Sequence, residues 1–331
     1  MPIPQPWEMD LIVWFRSTLP NLEGVFEAIT SLGGEMFFLV LLPLLYWCLD
    51  RRTGARLTIL FLISAYVNGA AKLLFSTPRP FDIGAPELAP LFPEGIAAAR
   101  DRYDATGNGF PSGHTQSTVV VWGFLAAQAV RRSRRLSGDP GIAREQGRPS
   151  VSQRLMPAFL ALAALLLILV PLSRIYLAVH FPSDVLGGYA FGILMLVLFA
   201  RLAPKGEAHL TRVSLIWQLG VTALVPLVAA MIIPGEHTAT AAGTLLGLGI
   251  GFVLERRVVR FDSEGPLMQR SLRFLVGIVV LGALYAGLKT AFEGLEPALV
   301  FRFVRYSALG LWGALGAPWA FVKLQLAART R

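Results

Sequence analysis

Long apolar runs, broken by short polar bursts, give the first reading of this chain. A helix needs about 20 residues to cross a ~30 Å hydrocarbon core. Runs of roughly that length fall near 28–49, 56–75, 113–130, 155–173, 184–201, 214–233, 239–255, 273–292 and 303–322. The pattern predicts an all-α, polytopic membrane bundle of about nine transmembrane helices. Segment 7–19 (WEMDLIVWFRSTL) is too short to span, and its two tryptophans and mixed polarity suit a helix lying in the interface. It makes a poor signal peptide, because no basic start precedes its apolar part. The predicted organisation is a core over 1–204, with that N-terminal helix and an outer loop at 76–112, followed by an extension of about four spans over 205–331.

Composition agrees with the pattern. Of the 331 residues, 54% are apolar and 15% charged, against about 25% charged in soluble domains. The mean hydropathy is +0.58. That composition excludes disorder, and the single cysteine, Cys48, excludes a disulfide scaffold. The net charge of +9 does not point to nucleic acid, because the basic residues fall between the spans. With nine alternating spans, 21 of the 30 Lys and Arg lie on one side, in 50–56, 131–154, 201–212, 256–273 and 323–331. By the positive-inside rule that side is cytoplasmic, so the C-terminus is inside. The basic stretch 131–154 then reads as a solvated cytoplasmic loop. Arginine outnumbers lysine 26 to 4 and the loops are compact, which fits a bacterial plasma membrane.

Three short segments fall on the opposite, extracytoplasmic side, where spans meet the surface. KLLFSTPRP places Lys72 seven residues before Arg79; PSGH occupies 111–114; SRIYLAVHFPSD runs from 173 to 184. Lys72, Arg79 and Arg174 are cations with no carboxylate partner in their own segments, and at a membrane boundary an anionic ligand is their natural partner. Guanidinium forks match phosphate oxygens, and lysine adds a point charge. Ser112 and Gly113 open a predicted helix whose free N–H groups favour an anion. His114 and His180 supply a candidate general acid and nucleophile. Asp184, four residues after His180, is spaced to orient its ring, as the carboxylate of a catalytic triad does.

The ordered set K-x6-RP, PSGH and SR-x5-H-x3-D resembles the signature of the type-2 phosphatidic acid phosphatase superfamily, which takes in lipid phosphate phosphatases, glucose-6-phosphatase and vanadium haloperoxidases. The resemblance covers residues 72–184. It implies that Lys72, Arg79, Ser112, Gly113 and Arg174 bind phosphate. It further implies that His180 forms a phosphohistidine, Asp184 orients it and His114 is the general acid, with no metal or other cofactor and with sensitivity to vanadate. The expected activity is hydrolysis of a lipid phosphate or diphosphate at the extracytoplasmic face, with undecaprenyl (polyprenyl) diphosphate favoured and phosphatidic acid-type or sphingoid phosphates as alternatives. A lipid phosphotransferase using the same histidine, or a transporter or scaffold with a vestigial site, are the rival readings.

The remaining features read as structural. Phe75, Phe81, Phe92 and Phe110 serve as interface anchors, or else line an acyl or prenyl entrance. Gly243, Gly247 and Gly251 recur every fourth residue, a spacing for close helix packing. The extension as a whole reads as packing or as a homodimer interface. Lys289, Arg302 and Arg305 read as snorkelling side chains.

Overall fold

A computed structural model describes residues 5–84, 86–103, 107–137 and 151–330; part of the basic loop, 138–150, lies outside them. The helices are α1 (Pro6–Thr18), α2 (Glu23–Ser31), α3 (Glu35–Leu44), α4 (Arg51–Phe75), α5 (Ile96–Arg102), α6 (Gly113–Ser137), α7 (Val151–Tyr176), α8 (Pro182–Leu210), α9 (Leu215–Ile232), α10 (Glu236–Leu254), α11 (Leu267–Ala291), α12 (Ala298–Leu311) and α13 (Ala317–Lys323). The protein is an all-α integral membrane protein. Among the described residues, eight stretches are long and apolar enough to cross a membrane.

The expected span at 113–130 is not one of those eight, although it forms the 25-residue helix α6. Its first turns carry Thr115, Gln116 and Thr118, and these side chains are buried inside the protein. Polar residues that face protein instead of lipid lower a helix's apolarity without shortening it. The first expected span also differs from its prediction. The stretch 23–49 is two helices, α2 and α3, parted at Gly33–Gly34.

The chain packs as two compact units. One takes in residues 1–35 and 71–197, the other 36–70 and 198–331. In the first, α1 begins with proline at its first position and a reciprocal Gln5–Glu8 cap. One face of α1 buries Glu8, Met9, Ile12 and Arg16, while Trp7 and Trp14 stand exposed. The core beside it stacks Phe26 on Tyr176 at 4.0 Å, with Phe15 edge-on to both. Phe81, Phe92 and Tyr103 continue that core. Phe81 and Phe92, at 5% and 2% exposure, are therefore neither interface anchors nor an entrance lining. Phe75 remains 40% exposed and meets Phe110 edge-on.

The second unit is centred on Tyr46, Trp47, Phe261 and Phe321. Arg273 is fully buried there and donates to the carbonyls of Trp47, Asp262 and Glu264. Gly243, Gly247 and Gly251 lie against Phe303, Ser307 and Ala314, so this glycine stripe is spent on packing within the chain. A side chain at Gly247 would run into the Ser307 carbonyl and the Leu311 N–H.

Candidate active site

The turn between α7 and α8 explains the spacing of the third motif. After Tyr176 the backbone closes in a Schellman-type cap: Ala178 N–H donates to Ile175 O and Val179 N–H to Arg174 O. Ala178, at the left-handed position, has φ 55°. His180 N–H also reaches Arg174 O, at 3.3 Å. Five residues of separation thus fold back on themselves and bring His180 onto the end of the helix that carries Arg174.

The start of α8 fixes the carboxylate. Pro182 opens the helix and Asp184 is its third residue. Asp184 Oδ2 accepts from Phe181 N–H at 3.0 Å, the acidic half of a helix cap, and from His180 Nδ1 at 3.2 Å. His180 and Asp184 are both 2% exposed. With Nδ1–H turned to the carboxylate, His180 keeps its Nε2 lone pair, which lies 3.4 Å from Arg79 Nη1. Burial, followed by the charges of Arg79, Lys72 and Arg174 and by His114, holds the His180 pKa well below the ordinary histidine value. The ring is neutral at pH 7, as a nitrogen nucleophile must be.

The cations are set by backbone carbonyls. Arg79 Nε donates to Gly107 O at 2.9 Å and its Nη1 to Val179 O at 3.0 Å. Lys72 Nζ donates to the carbonyls of Asn108 and Gly109, and Asn108 Nδ2 returns a bond to Lys72 O at 2.7 Å. Arg174 Nη1 donates to Thr30 Oγ1 at 2.7 Å. Ser112 caps α6, its Oγ accepting from Thr115 Oγ1 at 3.1 Å, and its backbone N–H donates to Asp184 O. His114, the second residue of that helix, lies near the Gly33–Gly34 turn, where added Cβ atoms would come within 3.5 and 3.7 Å of its ring.

The structure brings together all eight residues singled out from the sequence: Lys72, Arg79, Ser112, Gly113, His114, Arg174, His180 and Asp184. Sequence reasoning missed the residues that hold them. Glu8 of α1 is 2% exposed and accepts from Ser183 N–H at 2.8 Å, so a carboxylate from the N-terminal helix caps the helix of Asp184. Thr30 and Thr77 orient Arg174 and the 109–110 backbone. Gly109 has no room for a side chain, since a Cβ would lie 2.9 Å from Pro78 O and 3.0 Å from Asp184 Oδ2. Gly188 and Gly192, one turn apart on α8, let α6 approach at Thr115 and Val119. That glycine pair was readable in GGYAFG as a small-xxx-small spacing.

Chemically, the arrangement offers a neutral, oriented imidazole among three cations, a capped helix N-terminus and a second imidazole. Two stretches match family models: residues 53–207 that of the PAP2 superfamily, and residues 239–329 that of the PAP2 superfamily phosphatase, transmembrane extension. The chain is similar to lipid phosphate phosphatase delta of Arabidopsis thaliana, 28% identical over 59% of this chain and 42% of that one. It is also similar to phosphatidylglycerophosphatase B of Bacillus subtilis, 26% identical over 56% of this chain and 77% of the relative. With glucose-6-phosphatase 3 of Bos taurus it is 29% identical over 92% of this chain and 83% of the relative. The alignments with the Arabidopsis protein and with the glucose-6-phosphatase catalytic subunit 1 of Haplochromis nubilus span about half of those relatives' length. No solved structure matches the chain. The two family models together take in most of the sequence, and the chain belongs to the PAP2 superfamily.

Proposed function

We propose that this protein removes phosphate from a membrane lipid phosphate or diphosphate at the extracytoplasmic face, through a phosphohistidine on His180. The observation that carries this reading is the Asp184–His180–Arg79 line, which leaves a neutral Nε2 beside a guanidinium that can hold the phosphoryl oxygens. Lys72, Arg79, Arg174, Ser112 and the N–H of Gly113 bind the equatorial oxygens and stabilise charge in the loose transition state. His180 Nε2 forms the bond to phosphorus as the bond to the leaving oxygen breaks, and His114 gives that oxygen its proton. Water then attacks the phosphohistidine and returns a proton to His114. This releases inorganic phosphate and restores both rings.

Residues 1–204 act as the catalytic core and 205–331 as its extension. Among the relatives, one is named for phosphatidylglycerophosphate and another for sphingosine 1-phosphate, which supports a lipid substrate. Polyprenyl diphosphate presents a terminal phosphoryl group to the same residues, with a phosphate as the leaving group in place of an alcohol. A second reading, hydrolysis of a soluble sugar phosphate, draws on the glucose-6-phosphatase 3 alignment, which runs through both family-matched stretches.

The test is phosphate release by purified protein in detergent without added metal. The panel holds polyprenyl diphosphate, phosphatidic acid, phosphatidylglycerol phosphate, sphingosine 1-phosphate and glucose 6-phosphate, with His180→Ala alongside. Release by wild type, lost in the variant and blocked by vanadate, is expected, as is acid-labile labelling of His180 by a phosphate-labelled substrate. Failure of the folded protein to release phosphate from any of them overturns the reading.

A further inference from the structure

In the second unit, Arg305 has a buried guanidinium nitrogen that its own fold leaves unanswered. Arg305 lies seven residues into α12, about 10 Å from the Ala298 end at 1.5 Å per residue. It belongs to an apolar stretch long enough to span, and its neighbours Val300 and Val304 are exposed. The guanidinium lies beside an edge-to-face ring pair, 5.6 Å from the Tyr285 centroid and 5.2 Å from that of Tyr306, the two rings being 6.3 Å apart. Its Nε is buried and meets no acceptor, and among the described residues no carboxylate pairs with it.

Three other arginines of the unit are matched: Arg302 pairs with Glu236 at 2.8 Å and Arg51 with Glu255 at 3.1 Å, while Arg273 is held by backbone carbonyls. An arginine inside an apolar span without a partner marks a ligand before it marks packing. Helix side chains lean toward the N-terminus, which lifts the Arg305 head toward the Ala298 end. The spanning stretch Ala298–Lys323 has 26 residues, about 39 Å of helix against a ~30 Å core, so its end turns stand at head-group depth. Tyr285 lies six residues before the end of α11, and exposed Lys289 follows it one turn closer to that end. Cation–π attraction to the ring pair seats the guanidinium and leaves it without a carboxylate partner among the described residues.

We propose that Arg305, seated on the Tyr285–Tyr306 pair and supported by Lys289, binds the phosphate of an anionic phospholipid, at a lipid site on the extension separate from the residues around His180.

The test is the thermal midpoint of the full chain in detergent, with phosphatidylglycerol, phosphatidylcholine or inorganic phosphate added at equal concentration. A ligand that binds the folded form raises the midpoint by mass action. Phosphatidylglycerol is expected to raise it by several degrees and the other two by little. Arg305→Gln should lose most of that rise and Arg305→Lys about half, while Arg174→Gln should retain it. Tyr285→Leu, which removes one ring of the pair and no charge, gives a second reading of the loss should Arg305→Gln aggregate. A rise undiminished in Arg305→Gln, or lost equally in Arg174→Gln, overturns the proposal. An equal rise with inorganic phosphate that also disappears in Arg305→Gln overturns the lipid as the source of the bound phosphate.

Discussion

At the scale of single residues, the site depends on one proton's position. Asp184→Asn keeps one oxygen for the N–H groups of Phe181 and His180 but removes the carboxylate charge that fixes the Nδ1–H tautomer and steadies the ring as it gains positive charge on bonding phosphorus. Activity should fall about 10³–10⁴-fold with a thermal midpoint within a few degrees of wild type, which phosphate release and a melt together would show. The depressed pKa of His180 has a consequence for stability as well. Below about pH 6.5 the unfolded histidine takes a proton that the folded one refuses, so stability declines as pH falls from there toward the folded pKa. His180→Gln should flatten that decline in melts from pH 7 to pH 5. The nucleophile, its orienter and the cations could be listed from the sequence because each is a rare, chemically distinct side chain at fixed spacing. Glu8, Thr30 and Asn108 could not, because contacts made across 175, 144 and 36 residues leave no local pattern.

At the scale of elements, helix ends and glycine contacts set the geometry. The N-terminus of α8 has its orphan N–H groups answered by Asp184 from within and by Glu8 from α1. Glu8→Ala removes the acceptor for Ser183 and should cost about 1–2 kcal/mol of stability. It should also lower kcat about tenfold as the Asp184 turn loosens. Glu8→Gln, which keeps an acceptor oxygen, should recover most of both; kinetics and a melt on the two variants decide it. On the same helix, a Cβ at Gly192 would lie 2.8 Å from Val119 and 3.2 Å from Gln116 O. Gly192→Ala should therefore destabilise by about 1–3 kcal/mol through overpacking. A matching effect on an exposed glycine such as Gly206, which has open space around it, would sink this account. Periodicity predicted α8 as a span, and Pro182 marked its start. The approach of α6 was legible only in the four-residue spacing of Gly188 and Gly192, which the more conspicuous stripe at 243–251 obscured.

At the scale of the whole molecule, orientation turns on α6. The charge bias places residues 76–112 and 131–154 on opposite faces only if α6 crosses, yet α6 is the helix whose apolarity falls short of the other spans. The site supplies an independent argument. Ser112, at the start of α6, bonds Asp184 at the start of α8, and Arg174 at the end of α7 bonds the His180 backbone. The start of α6 and the end of α7 therefore lie at one level, and Trp122 meets Phe159 along their length. Since α7 has the length and apolarity to cross, an α6 of 25 residues antiparallel to it is expected to cross as well, with the buried Thr115, Gln116 and Thr118 turned inward. Hydropathy alone ranks such a helix poorly because it averages over both faces. Cys48 is buried, so introduced cysteines can be labelled over a low background. In intact cells a membrane-impermeant maleimide should label Glu87→Cys, while Arg132→Cys should react only after permeabilisation. Labelling of both from outside would return α6 to the interior as a non-crossing helix and place the basic loop beside the active site. Labelling of Arg132→Cys alone would turn the protein over and put the His180 chemistry on the cytoplasmic face.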